Sequence, residues 1–193
     1  MDENGNVSRS LTFYSFETKQ SLLVDLYGRF IGLTIFEAQS PQPKVKAILD
    51  ADFAVQIRYL LNKTLKDREA KPFGMSFLMW NRDKNAREFR CGVTVGRDVN
   101  DKAIYLDISS ERQKDPIRFF LSVGDSYLYN DQQPSRLIST EAGARSLVEA
   151  LEVLSKLLFE RGNEKTTETD KSFKPAGDPQ IPAPPPIGDD VGF

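Results

Sequence analysis

Glu88-Phe89-Arg90-Cys91-Gly92-Val93-Thr94-Val95 alternates apolar with polar or small side chains, the period of a strand with one buried face. Phe89, Cys91, Val93 and Val95 are expected on the core side. Arg90 and Thr94 are expected on the other. The pattern recurs downstream in Ala103 to Ser109, with Ile104, Leu106 and Ile108 inward, and in Pro116 to Val123, with Ile117, Phe119, Leu121 and Val123 inward. Upstream, Phe73 to Trp80 begins the series, and a shorter piece, Ser126 to Tyr129, follows it. Polar turns separate the members, so the segment reads as a meander.

Working toward the N-terminus, Leu11 to Thr18, Ser21 to Tyr27 and Arg29 to Glu37 are again rich in aromatic and β-branched residues. The Tyr27-Gly28-Arg29 step is a tight turn between the second and third. Residues 1 to 10 are polar and expected to fray. Gln39-Ser40-Pro41-Gln42-Pro43 breaks the meander, after which Phe53, Ile57, Leu60 and Leu61 fall on one helical face. This predicts a helix from about 50 to 66, capped by Asp50 or Asp52. A second helix is predicted from about Thr140 to Arg161, where Leu147, Leu151, Leu154 and Leu158 are widened by Ala144, Val148, Ala150, Val153 and Leu157, with Gly162 as the stop. A stripe that broad fits either a helix sunk in its own core or one shared with another subunit. The expectation is an α+β fold: two antiparallel sheets in a strands-helix-strands-helix order over residues 1–161.

Composition narrows the chemistry. Among 193 residues there is one cysteine and no histidine, which removes Ser-His-Asp triads, Cys-His pairs and zinc clusters. No Gly-rich phosphate loop is present. The chain reads as a binding protein, not an enzyme, with no cofactor and no metal. Asp98, Asp101, Asp107, Glu111 and Asp115 make a Mg²⁺ site imaginable, but Asp is a favoured turn residue and turn chemistry explains them better. No apolar run approaches the roughly 20 residues of a spanning helix, and a lone cysteine fits the cell interior. Net charge is −2, unevenly spread: residues 1–161 hold 23 Lys and Arg against 22 Asp and Glu, and residues 162–193 hold 3 against 6. A near-neutral body permits a local basic groove. The basic stretch Arg58, Lys63, Lys66, Arg68 and Lys71 is interrupted by Asp67 and Glu69, so it reads as a solvated face.

Two constellations remain. On the non-core face of the second sheet lie Arg90, Tyr105, Arg118 and Phe120, with Trp80 and Arg82 at a neighbouring strand end, and Tyr127 and Tyr129 just beyond. Arg87, Arg97 and Lys102 occupy the adjoining turns. Rings that stack on bases, interleaved with cations that meet phosphates, are what single-strand binding needs. The same rings would also suit packing beneath a helix or a second sheet. Residues 162–193 are rich in Pro, Gly, Thr and charge, cannot bury enough surface to order themselves, and end in Pro184-Pro185-Pro186-Ile187-Gly188-Asp189-Asp190-Val191-Gly192-Phe193.

That ending resembles the tails of bacterial and phage single-stranded-DNA-binding proteins, where a Pro- and Gly-rich linker leads to an Asp run, two residues and a final Phe. The likeness spans the last five to thirteen residues; this chain has two aspartates where the bacterial pattern has more, and Gly192 where Pro usually stands. It implies that Asp189, Asp190, Val191, Gly192 and Phe193 bind partner proteins. The order of elements over about 11–161 resembles Whirly-type single-stranded-DNA-binding domains, in architecture alone, with an OB-fold as the competing architecture. The resemblances imply a phage or bacterial protein that coats single-stranded DNA without sequence preference, in the (host) cytoplasm, as a homo-oligomer such as a dimer or tetramer. Its tail would recruit replication, recombination or transcription proteins. A phage transcription cofactor that delivers RNA polymerase, and a protein-protein adaptor without nucleic-acid affinity, are the alternatives.

Overall fold

Each alternating run finds its mate in the next run along the chain. The computed structural model describes residues 10–15, 18–38, 40–122, 129–130 and 133–169, and of residues 27, 129–130, 133–134 and 161–169 the backbone alone. Strands β1 (Ser10–Ser15), β2 (Gln20–Tyr27), β3 (Phe30–Glu37) and β4 (Pro43–Leu49) form one sheet in that order. After helix α1 (Ala51–Lys66), strands β5 (Phe73–Asn81), β6 (Ala86–Arg97), β7 (Ile104–Ser110) and β8 (Ile117–Phe120) form a second, again in chain order. All neighbours are antiparallel. A two-residue ladder, β9 (Tyr129–Asn130) with β10 (Gln133–Pro134), precedes helix α2 (Arg136–Thr169). The expected α+β order of strands, helix, strands, helix is thus the architecture, in two open sheets and not the five-stranded barrel of an OB-fold.

Alternation explains the layering. Leu22 and Val24, Ile31, Leu33 and Ile35, and Val45, Ala47 and Leu49 turn one face of the first sheet inward. Cys91, Val93 and Val95, Ile104, Leu106 and Ile108, and Phe119 do so for the second, and all are buried in one cluster with both helices. Burying an aliphatic side chain there is worth about 1.5–3 kcal/mol. Hydrogen bonds between described residues stitch the sheets together: the Cys91 thiol donates to the Ile48 carbonyl at 3.6 Å, and the Ser122 hydroxyl to the Tyr14 carbonyl at 2.7 Å. The helices run antiparallel, since Arg58 pairs with Glu152 and Arg68 with Glu141. Helix α1 buries Phe53, Ala54, Ile57 and Leu61; α2 buries Ala144, Leu147, Leu151, Leu154 and Leu158.

Some local expectations hold and others change. The turn at Gly28 forms, with φ +60°, a conformation glycine adopts without strain. Asp50, not Asp52, caps α1: its carboxylate accepts from the Phe53 N–H at 2.7 Å. The stretch after the proline break is strand β4, which the sequence reading passed over. Pro43 stands first in that strand and β4 borders the sheet, where a missing N–H costs little. Phe89 is not on the core face. Between Phe77↔Cys91 and Leu78↔Phe89 the register slips by one residue, so a bulge at Arg90 flips Phe89 to the outer face, where its ring approaches Gly92. Gly162 does not stop α2, which continues to Thr169; glycine in a helix interior costs only about 1 kcal/mol. The proposed tail therefore starts no earlier than residue 170, and that remainder, with Phe193 and its aspartates, lies outside the described residues.

Candidate nucleic-acid interface

The outer face of the second sheet is built from the residues that alternation leaves over. Small residues occupy its middle: Gly74 and Ser76 on β5, Gly92 and Thr94 on β6, and Ser109 on β7. Larger groups stand at its two ends.

At the hairpin end, Leu78 and Trp80 project from β5, and Phe89 and Arg87 face them from β6, Leu78 paired with Phe89 and Trp80 with Arg87. Trp80 is 54% exposed and Leu78 47%. Arg82 and Arg87 are exposed, and among the described residues neither makes an ion pair. Asn85, at φ +48°, closes the turn in the left-handed region Asn tolerates. Lys84 and Glu88 are spent on each other at 2.7 Å. Hydrogen bonds from Asn81 and Lys84 hold the Glu88 carboxyl below its ordinary range, so it stays an anion matched to a local cation.

At the other end, Tyr105 lies flat across the sheet. Gly96 makes this possible, since a Cβ there would sit 2.5 Å from the Tyr105 hydroxyl. Tyr105 meets Phe120 edge-on, centroids 6.1 Å apart. A guanidinium covers each ring at 3.7 Å: Arg118 over Tyr105 and Arg136 over Phe120. Arg118 is held by two 2.8 Å bonds to Asp107, which raise its pKa further, and Arg136 bonds Asp101 at 2.8 Å. Tyr105 is buried, and burial pushes its phenol up. The exposed planes at this end are therefore guanidinium planes, which also stack on bases.

Three expected contact residues are elsewhere. Arg97 is buried: its guanidinium donates to the Thr64 carbonyl at 3.0 and 2.9 Å, to the Lys102 carbonyl at 2.7 Å and to Glu141 at 2.9 Å. It closes the C-terminal turn of α1 against β6 and α2, because Thr94 outward puts residue 97 inward. Lys102 sits in the β6–β7 turn at φ +61°, its ammonium 3.0 Å from Glu69. Arg90, the bulge residue, turns away from the outer face and pairs with Glu111 at 2.8 Å. Tyr127 lies outside the described residues, and of Tyr129 the backbone alone is described.

Arg90 leads to a feature the sequence reading missed. A groove of about 720 Å³ runs between the β4 edge and the β5–β6 hairpin, with Phe30, Ile48, Phe77 and Met79 on its walls and Lys44, Lys46, Arg90 and Arg112 at its rim. Lys44 is bonded to Glu37, whereas Arg112 has no ion pair among the described residues. The groove needs β4 beside β6, a neighbourhood no local pattern announces. The acidic series makes turn and ion-pair contacts, as at Asp98, Asp101 and Asp107, and among the described residues no acidic cluster is arranged to hold a metal. Among the described residues no helix is long and apolar enough to cross a membrane.

No family model matches the chain, and no curated protein matches it. Among solved structures it is similar to one titled "Crystal structures of trypanosoma bruciei MRP1/MRP2", at 12% identity and a TM-score of 0.39, over 78% of this chain and 88% of that one.

Proposed function

We propose that this protein binds single-stranded DNA with little sequence preference across the outer face of its second sheet, and does no chemistry on it. One observation carries the reading: Trp80 stands half exposed, in cross-strand register with Arg87 and beside Arg82, with both cations unpaired among the described residues. An open ring next to free guanidiniums is costly as a mere surface, yet it suits a base stacked on indole with its phosphate on arginine. From there a strand would cross the small-residue floor toward Arg118 and Arg136, a path of about 30 Å at the rise of a β-strand. In this reading the acidic terminus Asp189, Asp190, Val191, Gly192 and Phe193 recruits replication, recombination or transcription proteins. A pull-down with and without the last five residues separates the first two roles from polymerase delivery.

Trp80 is the sole tryptophan, so its fluorescence reports the site directly. Oligo-dT is expected to quench it at low salt and release it at high salt. Trp80→Ala, followed by anisotropy of a labelled oligonucleotide, is expected to weaken binding about 5- to 150-fold, the roughly 1–3 kcal/mol of one stacked base. No quenching together with no gel shift would leave the adaptor reading in its place.

A further inference from the structure

We propose that two copies of this chain join through the free edges of β5, making one continuous eight-stranded sheet. Strand β5 ends the sheet order β5-β6-β7-β8, and among the described residues no strand pairs with its outer side. Its sequence, FGMSFLMWN, carries no charge and no proline, and the one register slip of the hairpin leaves its extra residue on β6. Natural edge strands are blunted by lysine, proline or bulges. This one has none of these, and shows Leu78, Met79 and Trp80 each at least 42% exposed.

The occupant that fits is β5 itself. Antiparallel pairing about a two-fold axis at Phe77 keeps outer residues opposite outer residues. Gly74 then faces Trp80 of the second copy, Ser76 faces Leu78, and Met75 faces Met79. An aromatic ring opposite a strand glycine covers the backbone that the glycine leaves bare. Beyond the strand ends, the same two-fold axis brings Lys71, two residues before β5, toward Asp83 of the other copy, in the turn after it. Each is exposed, and neither has an ion pair among the described residues. Shifting the axis by one residue either way loses the Gly74–Trp80 and Lys71–Asp83 pairs together. The joined sheet would carry both copies' outer faces on one side, with Trp80 of each copy beside Gly74 at the margin of the other's small-residue floor and the rest of that floor open.

Sedimentation of the full chain without nucleic acid tests this independently of DNA binding. Wild type is expected to run as a dimer or a multiple of one. Asp83→Lys or Lys71→Asp alone is expected to weaken self-association about tenfold, since two ion pairs become two repulsions, and the double swap K71D/D83K to restore it. Leu78→Lys, at a half-exposed position, is expected to abolish the β5 contact while the thermal melt of the fold stays in place. A monomer at every concentration overturns the proposal, as does assembly indifferent to all these changes or single losses that the double swap fails to rescue. Dissociation by a synthetic peptide of residues 178–193 would assign the edge to the chain's own terminus and overturn it equally.

Discussion

Removing the Arg97 guanidinium would leave the Thr64 and Lys102 carbonyls and the Glu141 carboxylate without the donor that serves all three. Glu141 is partly exposed and keeps Arg68 at 3.7 Å, so the loss falls on the buried carbonyls, at about 1–3 kcal/mol for each acceptor left unsatisfied. Arg97→Met is expected to lower stability by that order in urea titration, while the folded protein keeps its affinity for oligo-dT. Cys91 makes a second prediction. Burial pushes its thiol up to about 11 from an ordinary 9.0. Between those pH values the folded chain holds a proton that the unfolded chain has lost. The contribution is therefore fully present below about pH 9 and is lost as pH rises through 11. Two units correspond to roughly 2–3 kcal/mol. Wild type is expected to lose about that much more stability than Cys91→Ala over this window, measured by denaturant unfolding at each pH.

Among the elements, α2 separates local rule from outcome. Gly162 carries the usual signature of a C-terminal stop, yet the helix passes through it. Stops need a left-handed glycine with partners for the last carbonyls, and no proline follows until Pro175 to force an end. Gly162→Ala is expected to raise stability by roughly 0.5–1 kcal/mol and to increase helical circular dichroism; a loss of stability would show that the residue caps after all. The β5–β6 hairpin makes the complementary point. Its alternation was legible on either side of Arg90, but a bulge inverts the phase, and a one-residue slip exchanges faces for all that follows. Phe89 therefore joins Trp80 outside, and Arg90 leaves for the groove.

For the whole molecule, the balance of cations sets how binding answers to salt. Many candidate arginines and lysines are already matched to carboxylates, so the free ones on the outer face, Arg82 and Arg87, should supply most of the counterion release. Each phosphate contact on a single strand contributes about 0.7 to the slope of log affinity against log salt. Arg87→Ala is expected to reduce that slope by about 0.7, and Arg97→Met to leave it unchanged. In the proposed reading the acidic terminus competes for the same cations. Deleting residues 178–193 is expected to tighten oligonucleotide binding in a gel-shift titration and to abolish partner capture; no change in either would remove the competition from the mechanism.

Periodicity by itself determined seven of the eight long strands, the two helices and most of the core, Phe89 and the β4 residues excepted, because a strand or helix must turn its apolar side one way and the chain records that at every second or fourth position. It also marked Trp80, Arg82 and Arg87, which sit at a local turn and need no distant neighbour. Strand β4 was written just as plainly in Val45, Ala47 and Leu49, but two prolines masked it. Which cations remain free was decided in three dimensions. Arg97, Arg118, Lys102 and Arg90 look alike in the chain, and only the arrival of Glu141, Asp107, Glu69 and Glu111 from other segments settles that each is matched. Pairing of charges depends on distances between elements, and those are fixed when the sheets and helices pack.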